Sequence, residues 1–342
     1  MKHKQAMQNG LWLLAVLFFF FPLSVQAEET ALNTHVTPLF PESQVDESKG
    51  YYELLLAPGQ KETLQLKVGN SNSEPIKVQV TPHTAYTNTL GNVEYGKDAK
   101  EADPTLVHSL DELMTPSEVI TLAGKETKVI DIPLQMPTDA FEGYLAGGLR
   151  IAEIKDEEES ETPEGEGVAI KNEFAHVVGV VVSNTRDSVQ PELELLDVFA
   201  DQLNYRNVIS ATLQNFIPTF VNQLAVEATV KRAGESDVLY ETSKEMMQMA
   251  PNSNFNFPIS LEGDRFRSGN YVLELTAVSG DNEWSWTREF TIDADDARKL
   301  NREDVMIDNS PNWWMIGAII LLTLLVMILL YLALKKRRQE KD

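Results

Sequence analysis

From about residue 50 to residue 295 apolar and polar positions mostly alternate, and turn residues recur at short spacing. That is the period of half-buried strands, not of helices. In "TLQLKV" Leu64, Leu66 and Val68 share one face while Thr63, Gln65 and Lys67 share the other. A first block opens with "PLFPESQ" and runs through "YYELLLAPG", "KETLQLKVGN", "PIKVQVTPHTAY", "KETKVIDIPLQMP", "GYLAGGLRIAEI" and "EFAHVVGVVVS". A second follows "NTRDSVQP" with "ELELLDVFA", "NVISATLQN", "NQLAVEATVKR", "DVLYETSKE", "MQMAPNSNFNFPISL", "NYVLELTAVS" and "EWSWTREFTI". Seven strand-like runs within roughly 105 residues match an immunoglobulin-like sandwich in count and spacing. "VKRAGESDVLY" predicts a hairpin turned by Gly234, and "SLDELM" a short helix whose first turn carries Asp111 and Glu112.

One arrangement occurs three times, in "LLLAPGQKETLQLKV", "ITLAGKETKVIDIPL" and "MQMAPNSNFNFPISL". Each has two alternate apolar positions, an alanine, then Pro or Gly. An offset of seven from Ala57, Ala123 and Ala250 reaches Leu64, Ile130 and Phe257, and the alternation continues through Leu66, Ile132 and Ile259. A strand, a tight turn and a second strand on the same apolar phase account for all three. Met247 and Met249 then fill core slots, the alternative being an exposed Met-rich contact surface.

The two ends do not alternate. Lys2 and Lys4, the apolar run Leu11 to Leu23 and the small-x-small site ending at Ala27 read as an export signal over residues 1–27, cleaved before Glu28. The uncharged stretch from Trp313 to Leu334 is long enough to cross a hydrocarbon core of roughly 30 Å. Trp313 and Trp314 suit the outer interface, and Lys335, Lys336, Arg337 and Arg338 a cytoplasmic stop. The expected protein is a single-pass membrane protein, its ectodomain outside, with a helix over 312–334 and a basic tail over 335–342.

The expected fold class is therefore all-β: two immunoglobulin-like β-sandwich domains in tandem, over 28–185 and 190–294, plus one C-terminal transmembrane α-helix. The polar segment 295–311 reads as a stalk or short exposed helix that lifts the second domain off the bilayer.

Charge narrows the partners. Of 29 Lys and Arg, two lie in the signal and five in the tail, leaving 22 against 50 acids, or about −28. Such an ectodomain repels phosphate backbones, so nucleic acid is not an expected partner. With no cysteine, disulfide staples and Cys-ligated metals are excluded. The acidic run 155–167 reads as a solvated loop, with cation binding the other reading; its spacing is not that of an EF-hand.

Catalytic signals are weak throughout. "AGKET" lacks the upstream glycine and the Ser or Thr of a phosphate loop. His35, His83, His108 and His176 show no HExxH spacing, and no Gly-x-Ser-x-Gly elbow is present. Only paired carboxylates remain as background, so no enzyme, no cofactor and no metal site is expected.

Recognition residues are better indicated. Gly143, Tyr144, Gly147 and Gly148 mark a bulge or close backbone approach, or else a bare backbone over which a glycan lies. Tyr205, Arg206 and Asn207 sit at a turn, either as partner anchors or, with Asn204, as turn formers. Trp284 and Trp286 share a face with Phe290 and Ile292, which reads as core or as a contact platform. Asn252 and Asn254, in the turn of the third repeat, are either a contact site or fold.

The run "FPESQ…YYELLLAPGQKETLQLKVGN…KETKVIDIPLQMP…FEGYLAGGLRI" resembles the first, peptidoglycan-binding domain of the WxL-interacting proteins of Gram-positive bacteria. "NVISATLQN…VLYETSKEMMQMAPNSNFNFPI…WSWTREFTI" is similar to that family's second, host-binding domain. The resemblance implies a surface adhesion protein at the cell wall, binding peptidoglycan with the first domain and WxL-domain proteins or host matrix with the second. It transfers no ligand-contacting residue. An export-stage assembly chaperone for WxL proteins, working through an edge strand, is the alternative.

Overall fold

The computed structural model describes residues 33–154, 174–308 and 313–339. The alternating runs close on two cores. In the first unit β1 (Thr34–Leu39), β3 (Lys61–Asn70) and β8 (Thr127–Gln135) form one sheet in the order β1-β3-β8. Facing it, β2 (Tyr52–Leu55), β10 (Ala175–Ser183), β9 (Leu145–Glu153), β4 (Ile76–Thr84) and β7 (Ile120–Leu122) form a second, in that order. Pairing is antiparallel except for β2 with β10. Leu64, Leu66, Ile130 and Ile132 from one sheet meet Val78, Val80, Leu149 and Val180 from the other.

The second unit has a sheet of β11 (Leu193–Leu203), β12 (Arg206–Asn215) and β15 (Ser253–Ser260). Its other sheet has the order β14 (Val238–Met249), β13 (Val221–Arg232), β16 (Gly269–Ser279) and β17 (Asn282–Ile292). Gly234, at φ 83°, turns β13 into β14 as expected. Setting β2 aside, the units share one topology: β1, β3, β4, β7, β8, β9 and β10 answer in turn to β11 through β17. The first unit differs by β2 and by an insertion between β4 and β7. That insertion holds a small hairpin, β5 (Tyr86–Thr87) with β6 (Val93–Glu94), and the helix α1 (Leu110–Leu113). Alternation does not reveal β5 and β6, because two-residue strands are too short to show a period.

The threefold sequence pattern is a corner between sheets. β2 and β3, β7 and β8, and β14 and β15 each lie on opposite sheets of their sandwich, so both strands of a pair point the same apolar phase inward. Leu54, Leu56, Leu64 and Leu66 are buried, as are Leu122, Ile130 and Ile132, and Met247, Met249, Phe257 and Ile259. The methionines are core. Each corner is clamped by an asparagine at a strand end: Asn184 Nδ2 donates to the Leu56 carbonyl (2.8 Å), Asn70 to Ala123 (3.0 Å) and Asn215 to Ala250 (2.9 Å). A turn this tight leaves its carbonyls inside the fold, where they need a donor.

The segment after β17 is not a free stalk. It forms α2 (Ala294–Glu303) and then packs back on the second sandwich, burying Ala297, Asp304 and Ile307. Asp304 Oδ2 accepts from the Asn207 backbone N–H at 2.7 Å, and Asn301 bridges to Phe266 in both directions, at 2.8 and 2.9 Å. Polar composition concealed this, because the holding groups are themselves polar. The last element is α3 (Trp313–Gln339), whose Trp313–Tyr331 portion is long and apolar enough to cross a membrane. Ala27 and Glu28 and the acidic run 155–167 lie outside the described residues.

Candidate functional site

The insertion of the first sandwich lies across the corner between β14 and β15. Ala85 and Ala146 of the first unit and Ala250 of the second form a small apolar joint, flanked by Val93, Tyr95, Val181 and Phe220. Around it the hydrogen bonds cross from unit to unit. Thr87 Oγ1 lies 2.6 Å from Ser253 Oγ and accepts the Ala250 N–H at 3.0 Å. Gln248 N donates to the Gly91 carbonyl at 2.7 Å, and Tyr144 N to Pro218 at 2.7 Å. The corner is buried at Ala250, whereas its counterparts Ala57 and Ala123 are exposed. Tertiary contact thus sets the third repeat apart.

Asp103 is the charged centre of this joint. Its carboxylate is buried and accepts from Asn254 Nδ2 at 2.6 Å, from Thr105 Oγ1 at 2.6 Å and from Gln214 Nε2 at 2.9 and 3.0 Å. Burial pushes the carboxyl up, but the Asn254, Thr105 and Gln214 donors outweigh it and hold the group below its ordinary 3.8. Asn252 Nδ2 donates to Thr105 Oγ1 at 3.1 Å and to the Phe216 carbonyl at 3.0 Å. Asn252 and Asn254 therefore belong to an internal joint, and the partner contact expected of them is corrected to a contact with the chain's own first sandwich.

Beside the joint opens a cleft of 240 Å³, lined by Thr84, Tyr86, Asp98, Glu101, Asp111 and Glu112, with Asn252 to Asn254 at its inner wall. Asp98 is held by His83 Nδ1 at 3.0 Å and Asp111 by the Thr84 hydroxyl. Glu101 and Glu112 are exposed at its mouth. Among the described residues no group of three His, Asp or Glu is arranged to hold a metal ion. An acceptor-rich cleft of this kind suits hydroxyl, amide and ammonium donors and disfavours anions.

The glycine run is close-approach backbone, but what approaches is the chain itself. A Cβ on Gly148 would lie 2.4 Å from the Tyr95 carbonyl, one on Gly147 2.2 Å from that of His83, and one on Gly143 (φ 71°) 2.1 Å from that of Pro218. Leu145–Glu153 is buried on both faces because the insertion covers its outer side. Gly143, Gly147 and Gly148 are thus beneath the joint, with Tyr144 half-buried beside Phe220, and no bare backbone is left there for a glycan.

The remaining candidates separate. Trp284 and Trp286 are half-buried against the second core, with Trp284 Nε1 donating to Glu192 at 3.0 Å, so both lean inward. Asn207 is buried, bonding Asn301 and Gln202 at 3.0 Å, and Arg206 is exposed. Tyr205 stands free in solvent. Trp313 and Trp314 are exposed at the start of α3, and Lys335 to Arg338 continue its backbone.

A second surface was not indicated by sequence. β14 is the outermost strand of its sheet, and β15 is the outermost strand of the facing one. Between them runs a groove of 470 Å³ bordered by Val238, Leu239, Tyr240, Glu241, Ser260 and Glu262. The far end of β14 is covered by the insertion, through Gln248 and Lys244 to Gly91 and Leu90. Only topology reveals which strand is an edge.

Comparison with known proteins agrees with the two-unit order. Residues 35–153 match the WxL Interacting Protein peptidoglycan binding domain and residues 165–302 the WxL Interacting Protein host binding domain, the latter taking in most of α2. No curated protein matches the chain. Solved structures similar to it include the YadV chaperone (9% identity, TM-score 0.29, covering 76% of this chain and 100% of that one). The class 5 fimbriae chaperone CfaA is another (11%, TM-score 0.28, 75% and 98%), as is the E. coli chaperone DraB (12%, TM-score 0.27, 76% and 96%). Scores this low carry no argument about fold or function. The two domain matches lie in order and together take in most of the sequence, and on that ground this chain belongs to the WxL-interacting protein family.

Proposed function

We propose that this is a non-enzymatic, single-pass surface protein that holds peptidoglycan with its first sandwich and a WxL-domain protein or host matrix ligand with its second. Both sandwiches are read as immunoglobulin-like domains, over 28–185 and 190–294, the second extended by α2. The signal peptide leaves at Ala27, α3 crosses the cell membrane and the basic tail stays inside. The observation that carries the reading is the order of the two domain matches ahead of one apolar helix.

Peptidoglycan presents hydroxyl, acetamido and amino groups, which are donors, and the acidic cleft beside Asp103 offers them acceptors. Glu101 and Glu112 are the contacts assigned to the wall. Cosedimentation of the intact ectodomain with purified sacculi tests this. Glu101→Gln with Glu112→Gln should weaken retention about tenfold, the effect of roughly 1.4 kcal/mol, while Leu239→Asp on β14 should not. Unchanged retention of the double variant removes the cleft as the site, and no retention of the native ectodomain removes the wall-binding reading.

The free edge of β14 favours a second contact mode, addition of a partner strand, with main-chain bonds for affinity and the groove for selectivity. The same edge supports the chaperone reading. Capture of a WxL protein only during export, with none in the mature surface complex, would favour the chaperone; a lasting complex favours adhesion.

A further inference from the structure

The end of the second sandwich that leads to α3 carries an exposed apolar cap. β11 and β12 are joined by two residues, Asn204 and Tyr205, with φ of 52° and 58°. A two-residue turn of this kind needs left-handed backbone at both positions, which Asn tolerates and an aromatic residue does not favour. Tyr205 is nonetheless there, 70% exposed. An unfavourable backbone kept for an outward-facing ring points to a use outside the fold.

After α2 the chain returns to that turn. Asp304 accepts from Asn207, Val305 N donates to the Tyr205 carbonyl at 3.0 Å, and buried Ile307 pins the segment. Val305 and Met306 are left 68% and 56% exposed, with Met306 also against the turn at Gly263. Arg206, Arg265, Arg267 and Arg302 near this end are offset by Glu262, Asp264, Glu303 and Asp308, so no strong charge of one sign accompanies the cap.

The chain itself says what lies against it. Asp308, whose carbonyl accepts from Arg265 Nη2 at 2.8 Å, is separated from Trp313 only by residues 309–312. Five Cα steps reach at most roughly 18 Å, so the cap cannot leave the neighbourhood of the first turn of α3. We propose that Tyr205, Val305 and Met306 form a lipid-docking cap that seats the second sandwich on the membrane interface beside its own span. Tyr rings are enriched at that interface, and Val305 and Met306 add uncharged apolar surface beside the ring. This inference rests on the membrane-anchored reading of α3.

Its consequence is a fixed order away from the membrane. β12 runs from Arg206 at the cap to Asn215 at the joint, where Asn215 bonds Ala250, a distance of about 30 Å for a ten-residue strand. The first sandwich is held at the outer end, facing the wall.

The chain has no cysteine, so single Cys variants take one nitroxide each. Full-length protein is reconstituted in vesicles of equal parts phosphatidylglycerol and phosphatidylcholine, and the collision of each label with oxygen is compared with that of an aqueous nickel chelate. Labels at Met306→Cys and Val305→Cys should favour oxygen at headgroup depth. Leu322→Cys should read the lipid core and Val107→Cys, on the first sandwich, water. Tyr205→Ser should shift the residue-306 label toward water. If that label is as aqueous as the one at residue 107 while residue 322 reads lipid, the cap is overturned and the anchor stands. An aqueous residue 322 overturns both.

Discussion

The Asn215 side-chain nitrogen donates to the Ala250 carbonyl at 2.9 Å, in the place where Asn70 donates to Ala123 at 3.0 Å in the other sandwich. In both, the asparagine ends the strand that pairs with the second strand of the corner, β12 with β15 and β3 with β8. The two sandwiches thus repeat a clamp as well as a strand order.

Removing the clamp should unfold the corner. Asn215 also donates to the Thr219 carbonyl at 2.6 Å, so Asn215→Ala strips that carbonyl of its side-chain donor and leaves Ala250 held by Ser253 Oγ alone, at 2.8 Å. A loss of about 1–3 kcal/mol is expected, the cost of one buried group left unsatisfied. Urea unfolding of the ectodomain measures it. Asn215→Asp should be worse, because a carboxylate would face two carbonyl oxygens.

The joint should be acid-labile only at low pH. The Asp103 carboxyl is held below its ordinary 3.8 by its donors, so the folded state favours the charged form. Its contribution is complete above that unfolded value and disappears as pH falls through the lower folded one. Asp103→Asn should destabilise the ectodomain at neutral pH by about 1.5–3 kcal/mol, the range for hydrogen bonds to a charge. The two proteins should then converge in acid unfolding profiles below pH 3.8.

Asn252→Ala with Asn254→Ala should lower the melting temperature and leave partner binding to the folded protein intact, since both amides bond within the joint. Loss of partner binding at unchanged stability would return them to the surface.

Gly148→Ala separates packing from glycan contact. Its new Cβ meets the Tyr95 carbonyl, so a destabilisation of about 1–3 kcal/mol is expected, with sacculus retention per folded molecule unchanged.

Tyr205→Gly should do the reverse of most substitutions. Relief of the left-handed backbone at φ 58° should leave the ectodomain as stable or more so, by up to about 1 kcal/mol in thermal unfolding.

Much of the site was hidden in sequence for a definite reason. Gly147 and Gly148 correctly signalled close approach, but a glycine reports only that something comes near. Whether a ligand or the chain's own Tyr95 fills the space depends on where a segment some fifty residues upstream is laid down. Asp103 gave no signal, because a lone Asp in a polar insertion looks like every other acid in an acidic chain. The segment after β17 was legible as a short exposed helix but not as one docked on the sandwich, for the same reason: Asn301 and Asp304 are polar in composition and structural in place.

The sequence by itself determined most of the longer strands, the three strand-turn-strand patterns, the inward faces and the apolar helix, because period-two alternation and a long uncharged run are local properties of the chain. Tertiary structure alone decided that the corners pass between sheets, that the third is buried in a joint, and that β14 is an edge. Those are relations between segments far apart in the chain, set by which surfaces are left uncovered after each sandwich has closed, and no local pattern encodes them.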